Sequence, residues 1–196
     1  MVVFALIATV TLNALASGLV TLANTEAAIA LNYRQAGELT YAAEAGASAA
    51  MADLSRMNSS YLWSTVLSGA VRSSSCDTTM MPMLASGERI DLTALTTALQ
   101  AASDADARRG ADNPRWRLYL YQPLAAIART PTASSYVAVW VADDAAEADG
   151  DPQADSNGVI TIRSQAFGPR GMQRTIDATL ATDAAGMKLV SWRDVR

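Results

Sequence analysis

The hydrophobic pattern of the chain is continuous over its first part and changes period near the middle. Residues 1–25 contain no charged side chain, and Glu26 is the first ionisable side chain. A helix of this length spans about 38 Å, more than the ~30 Å hydrocarbon core of a bilayer. Beyond Glu26, apolar residues recur every three or four positions, which predicts that the helix continues to Leu54 as an amphipathic one. That apolar stripe consists of Ile29, Tyr33, Ala36, Leu39, Ala43, Ala47, Ala50 and Leu54.

Within the apolar segment, polar and leucine positions follow separate lines along the helix. Polar residues recur at every fourth position: Thr9, Asn13, Ser17 and Thr21. Hydroxyl and amide groups on an apolar helix favour contact with other helices, although a hydroxyl bonded back to its own helix has no such meaning. Leucines alternate by three and four, which is the spacing of a packing seam. The predicted assembly interface is Leu12, Asn13, Leu15, Ser17, Leu19, Thr21 and Leu22.

Three interpretations compete for residues 1–25. A secretory signal peptide carries basic residues before its apolar run and a small-residue cleavage site after it. Here the run has no basic residues before it, and the helical pattern continues past the place where cleavage would fall. A plain membrane anchor and a helix-packing segment remain, and the line of polar residues favours the packing segment.

The C-terminal part of the chain is predicted to be rich in strands. Residues 55–88 are irregular, with at most a short helix at Tyr61–Val71, and Asp91 is a plausible N-cap for a helix through about Ser103. From there the hydrophobic period is two. The predicted strands are Arg115–Tyr121, whose alternation indicates one buried face, Tyr136–Val141, Gly158–Ala166, Gln173–Leu180 and Met187–Arg193.

Short connections, including turns at 168–171 and 183–186, predict that these strands form an antiparallel sheet. Its apolar face is expected to pack on the Ala-rich half of the long helix. The fold class is therefore α+β, with an N-terminal helix over residues 1–54 and a β-rich globular head over residues 55–196. In the helix, 1–25 is the apolar membrane or filament-core segment and 26–54 is the amphipathic half.

Composition narrows the classes of function. The net charge of −4 and the pI near 4.8 argue against a nucleic-acid partner, which needs a basic patch. The chain has no histidine, one cysteine (Cys76) and one lysine (Lys188). The usual general base and the commonest zinc ligand are therefore absent, and we expect the protein not to be an enzyme.

Residues 143–158 form an acidic segment between two predicted strands and are the candidate metal site. Asp149, Asp151, Asp155 and Asn157 offer oxygen ligands at alternate positions, as a calcium loop requires. The EF-hand pattern is not met, because the spacing differs and no Glu follows at the required distance. The alternative is a solvated acidic turn, so Ca²⁺ is a possible cofactor only. The wider set of oxygen ligands is Asp143, Asp144, Glu147, Asp149, Asp151, Asp155 and Asn157.

The N-terminal residues carry a resemblance to a known family. The run Val2–Leu22 is followed by Glu26, by Asn32-Tyr33-Arg34 and by Tyr41-Ala-Ala-Glu-Ala-Gly46. This combination resembles the N-terminal region of PilX-type type IV pilins over about the first 54 residues. The ending Leu189–Arg196 is similar to that of many such subunits. The resemblance implies a type IV pilin-like fold, in which a helical spine packs on an antiparallel head.

The resemblance also implies a function. It implies a structural subunit of an extracellular filament on the bacterial cell surface, held in the inner membrane before assembly. Its partners would be copies of itself or other pilin subunits, bound through the N-terminal helix. Most pilins carry Glu at the fifth position of the mature chain, whereas Ala5 stands here if Met1 is that N-terminus. This departure is typical of minor and tip subunits, and the choice between a minor and a repeating subunit stays open.

Two further expectations complete this picture. Some pilin-like heads use calcium where others use a disulfide, and the single Cys76 fits such a substitution. The alternative to a filament subunit is a membrane-anchored periplasmic or surface binding module that does not polymerise.

Overall fold

The computed structural model describes residues 1–56, 60–106, 113–129, 133–147, 149–183 and 186–195. Contacts within the chain divide it into two compact units, Met1–Gly37 and Glu38–Arg196. Helix α1 (Val2–Ser55) contributes residues to both units. The contacts thus divide the chain inside α1, after Gly37. The sequence pattern divided it after residue 54, near the end of that helix.

The first unit consists of the N-terminal part of α1. The predicted unbroken helix is confirmed, because α1 ends one residue after Leu54. Residues 2–55 contain no proline, and they are rich in alanine and leucine, which are strong helix formers. Every residue from Met1 to Arg34 is exposed in the single chain, including Ile29 and Tyr33 of the predicted apolar stripe.

The second unit is built on a five-stranded antiparallel sheet in which each strand pairs with the next one in the chain. This confirms the predicted antiparallel sheet and, together with α1, the α+β fold class. The strands are β1 (Arg117–Pro123), β2 (Tyr136–Asp143), β3 (Val159–Phe167), β4 (Gln173–Asp183) and β5 (Gly186–Val195). The other helices are α2 (Ser60–Leu67), α3 (Leu92–Asp104) and α4 (Leu124–Ala128).

The second part of α1 covers one face of the sheet, as predicted. All buried residues of α1 lie between Leu39 and Leu54, and they share one core with side chains from β1 to β4. Most of them are alanine or glycine, so the helix backbone lies close to the strands. The buried residues of α1 are Leu39, Ala42, Ala43, Gly46, Ala47, Ala50 and Leu54.

The approach between α1 and the sheet is closest at Gly46. A Cβ atom added there would lie 2.6 Å from Ser164 Oγ and closer still to Val137 Cγ1. The Ser164 hydroxyl is fully buried and donates a hydrogen bond of 2.7 Å to the Ala43 carbonyl. Glycine at position 46 and serine at position 164 therefore together set how near the helix lies to β2 and β3.

Helix α3 covers part of the opposite face of the sheet. Asp91 caps this helix by accepting a hydrogen bond of 2.9 Å from the Ala94 N–H, which confirms the predicted N-cap. Leu92 is buried in a second core with aromatic residues of the sheet. The buried Trp140 donates from Nε1 to Thr96 Oγ1 at 2.8 Å. Strand β2 is consequently buried on both faces along its whole length.

The prediction that β1 has one buried face is wrong. Leu118, Tyr119, Leu120 and Tyr121 are all buried. The pairing register with β2 shifts between Leu118 and Leu120, so Tyr119 is the extra residue of a β-bulge. Tyr119 and Leu120 therefore belong to the α1 core, while Leu118 and Tyr121 belong to the α3 core.

The structure also tests the predictions for the short helix α2 and for the turn at 168–171. Helix α2 ends at Leu67, four residues before the predicted limit of Val71. The predicted turn at 168–171 is confirmed and contains a 3-10 turn, Pro169–Gly171. The sequence pattern did not predict α4, because five residues are too few to display a helical period.

Candidate functional site

The first candidate site is the surface of α1 in the first unit. Among the described residues, α1 is the one helix whose length and apolar composition would allow it to cross a membrane. Its large apolar side chains are more than half exposed from Met1 to Leu22. The leucines of the predicted assembly interface have exposed fractions of 66% at Leu12, 61% at Leu15, 67% at Leu19 and 55% at Leu22.

The threonines of this surface are already hydrogen-bonded within the helix. The hydroxyls of Thr9 and Thr21 donate to the carbonyls of Ala5 and Ser17, four residues earlier, at 2.8 and 2.9 Å. Thr11 and Thr25 do the same. Such hydroxyls enter an apolar environment at little cost, because no donor is left unpaired. They therefore do not by themselves require a neighbouring helix.

Asn13 and Ser17 complete the predicted interface. Both are exposed, as is Thr21. The Asn13 amide carries two N–H donors and one carbonyl acceptor, and it demands more partners than a hydroxyl does. If the segment is placed away from water, Asn13 is the side chain that gains most from a second helix.

The second candidate site is an acidic cluster where β2 leads into the loop before β3. The carboxylates of Asp143, Asp144 and Glu147 offer ligand oxygens that all lie within 4.8 Å of one another. Asp143 is 2% exposed, and Asp144 and Glu147 are each 8% exposed. Three carboxylates are thus brought together out of contact with most of the solvent.

A fourth buried carboxylate, Asp155, interacts electrostatically with these three but lies outside the group whose oxygens are within 4.8 Å of one another. It is 8% exposed, and its charge raises the pKa of both Asp143 and Glu147, while the charge of Asp144 raises the pKa of Asp155 itself. Burial is the largest cause of the raised pKa at each of Asp143, Glu147 and Asp155. We call Asp143, Asp144, Glu147 and Asp155 the acidic cluster.

Backbone hydrogen bonds hold the acidic cluster in place. Glu147 Oε1 accepts hydrogen bonds from the backbone N–H and the hydroxyl of Ser156. Asp155 Oδ1 accepts from the N–H groups of Gly158, at 2.7 Å, and Val159, at 3.1 Å. Gly158 has a φ of +75°, which favours glycine at this turn into β3.

The four ligands expected from the sequence take different places in this loop. Asp149 and Asp151 are exposed, and each accepts a hydrogen bond from the backbone N–H two residues later. Asp155 belongs to the acidic cluster. Asn157 donates to Asp144 Oδ1 at 2.8 Å and so lies beside the cluster. The structure therefore brings Asp155 and Asn157 toward Asp143, Asp144 and Glu147, and it leaves Asp149 and Asp151 facing solvent.

Comparisons of the chain with protein-family models, with curated proteins and with solved structures gave no match.

Proposed function

We propose that this protein is a structural subunit of a type IV pilus-like filament, held in a membrane by α1 before assembly and packed through α1 against neighbouring subunits afterwards. The observation that carries the proposal is the exposed apolar surface of residues 1–22, which precedes a separately packed α+β unit in the chain. The N-terminal resemblance to PilX-type pilins adds the type of filament.

The apolar surface is large enough to favour contact with lipid or another protein over exposure to water. Twelve large apolar side chains between Met1 and Leu22 are more than half exposed. Burying a side chain of this kind stabilises by about 1.5–3 kcal/mol, so the total is on the order of 10 kcal/mol or more. A continuous apolar surface of this extent marks a contact with lipid or protein.

Of the polar residues on α1, Asn13 favours assembly over a plain anchor. The threonine hydroxyls are paired within the helix and can reside in lipid. The Asn13 amide lies in the apolar segment on the same line as Ser17 and contributes most when another helix supplies its partners. The segment is thus compatible with both environments that a filament subunit meets.

A substitution at Ser17 tests the proposal. In cells that make the filament, we expect Ser17→Arg protein to be absent from the sheared filament fraction, because a charge would be buried among packed helices. Ser17→Ala is the matched control and should assemble normally. Membrane-fraction levels of both variants are measured alongside, since a charge in the segment also weakens membrane insertion.

Two outcomes contradict the proposal. The first is Ser17→Arg protein at wild-type levels in sheared filaments. The second is wild-type protein that stays wholly in the membrane pellet after shearing, which is the behaviour of an anchored binding module that does not polymerise.

A further inference from the structure

No arginine or lysine among the described residues forms an ion pair with the acidic cluster. In the part of the chain that the structure describes, the arginine and lysine ion pairs involve other carboxylates. The carboxylate oxygens that Asp143 and Glu147 offer lie within 4.8 Å of each other, so two acids are adjacent. Like charges at this separation repel strongly when water is excluded.

Two buried oxygens of the acidic cluster also have no hydrogen-bond donor within the described ranges of the chain. Among the described residues, Glu147 Oε2 and Asp155 Oδ2 are buried side-chain oxygens with no hydrogen-bond partner. The other oxygen of each carboxylate is held by backbone N–H groups, so neither side chain is loosely placed. A buried acceptor without a donor destabilises the folded state, and more so when it is charged. The free oxygens therefore indicate a ligand that supplies positive charge.

We propose that the carboxylates of Asp143, Asp144 and Glu147, with the unpartnered carboxylate of Asp155 beside them, bind a hard divalent cation of the calcium class. This inference goes beyond the filament function and does not depend on it. A cation gives the free oxygens of Glu147 and Asp155 a partner and balances the charge of the other two acids. It also joins the end of β2, at Asp143, to the turn that opens β3.

The chemistry of the donors selects the cation. All four side chains offer carboxylate oxygens, which suit calcium, magnesium and manganese, and no thiolate or imidazole is present to favour zinc or copper. The donors come from a strand end and an irregular loop, and calcium accepts six to eight oxygens in flexible geometry. Magnesium demands near-ideal octahedral geometry, so we expect it to bind more weakly here.

The test measures thermal unfolding of the full chain in detergent micelles, after removal of metal with a chelator. Calcium chloride and magnesium chloride are the probes. We expect a dissociation constant for calcium on the order of 10⁻⁴–10⁻³ M, as in extracellular modules. With calcium at 100 times that constant, the ratio of folded to unfolded protein rises about 100-fold, which raises the melting temperature by roughly 5–10 °C for a chain of this size.

Isosteric variants distinguish a loss of cation binding from a loss of folding. Glu147→Gln and Asp155→Asn each keep the oxygen that accepts the backbone hydrogen bonds and remove the charge. We expect both to lose the calcium shift, and to melt at or above the wild-type temperature in chelator because repulsion is relieved. The double variant Asp149→Asn/Asp151→Asn removes two exposed charges from the same loop and should keep the shift.

Three results would overturn the proposal. One is a wild-type melting curve that is identical in calcium and in chelator. Another is a calcium shift that survives in both Glu147→Gln and Asp155→Asn. The third is loss of the shift in Asp149→Asn/Asp151→Asn, which would move the site to the exposed acids of the loop.

Discussion

At the scale of single residues, Asp53 links helix α1 to the sheet. Its carboxylate accepts a hydrogen bond of 2.7 Å from the Tyr119 hydroxyl and pairs with Arg56, also at 2.7 Å. Burial raises the pKa of Asp53, but hydrogen bonds from Arg56, Ser73 and Tyr119 outweigh it, so the pKa lies below its ordinary value. Tyr119 is the bulged residue of β1, so the bulge aims this hydroxyl at α1.

The lowered pKa gives a prediction for acid stability. A depressed carboxyl pKa contributes stability that is present above about pH 4 and is lost as the pH falls through the folded-state pKa. We expect Tyr119→Phe to lower the free energy of unfolding by about 1.5–3 kcal/mol at pH 7 and to flatten its decline between pH 5 and pH 2. Chemical denaturation across this pH range in micelles measures both effects.

Tyr41→Phe is the matched control for this prediction. Tyr41 lies on the same helix and is 73% exposed, so its substitution should change neither the stability nor its pH dependence. An acid profile of Tyr119→Phe that runs parallel to the wild-type profile would contradict the role given to Asp53.

Residue-scale chemistry was only partly predictable from the sequence. The alternation of Asp149, Asp151, Asp155 and Asn157 is visible in the chain and indicated calcium ligands. Which carboxylates are buried depends on how β2 ends, and alternation along a loop carries no information about that. Asp143 is the last residue of β2, a strand buried on both faces, and its place directly after Val141 and Ala142 is a sequence signal for a buried acid.

At the scale of elements, the contact between α1 and the sheet depends on Gly46, which has no side chain. Alanine there gains helix propensity of about 1 kcal/mol but forces a methyl group against Val137 and Ser164. Overpacking of a core costs about 1–3 kcal/mol. We expect Gly46→Ala to lower the free energy of unfolding by up to about 2 kcal/mol, measured by chemical denaturation.

Gly37→Ala is the control for this element-scale prediction. No atom lies within 4 Å of a Cβ added at Gly37, so the substitution should leave stability unchanged or raise it by up to about 1 kcal/mol. If both variants gain stability equally, the close approach at Gly46 does not limit the packing of α1.

Elements with a long, regular pattern were predictable, and those shaped by tertiary contacts were not. Helix α1, the Asp91 cap and the order of the five strands follow from period and turn residues alone. The two-sided burial of β1 does not, because it needs both the bulge at Tyr119 and the second layer formed by α3. A bulge changes which face a residue occupies while leaving the sequence alternation as it was.

At the scale of the whole molecule, the unit that folds begins inside α1. The residues from Leu39 to Leu54 supply one side of the larger core, whereas Met1–Gly37 forms a separate unit. We therefore expect the chain shortened to Glu38–Arg196 to fold in detergent-free buffer with the circular dichroism of a mixed helix and sheet protein. A chain beginning at Ser55 lacks those core residues and should not fold cooperatively.

The shortened chains also test the separation of the two units. A melting transition of Glu38–Arg196 close to that of the full chain would mean that the first unit adds little to the stability of the second. Cooperative unfolding of the chain that begins at Ser55 would contradict the assignment of the Leu39–Leu54 stripe to the core.

The contact between α1 and β3 also has a consequence for the order of folding. The bond from Ser164 to the Ala43 carbonyl joins residues 121 positions apart, whereas each strand pairs with its neighbour in the chain. At a synthesis rate of roughly 5–20 residues per second, the Ala-rich face of the helix is made on the order of 10 s before the strand that covers it. Local strand pairing closes short loops, and helix docking closes a long one. The segment that is synthesised first therefore completes its packing last.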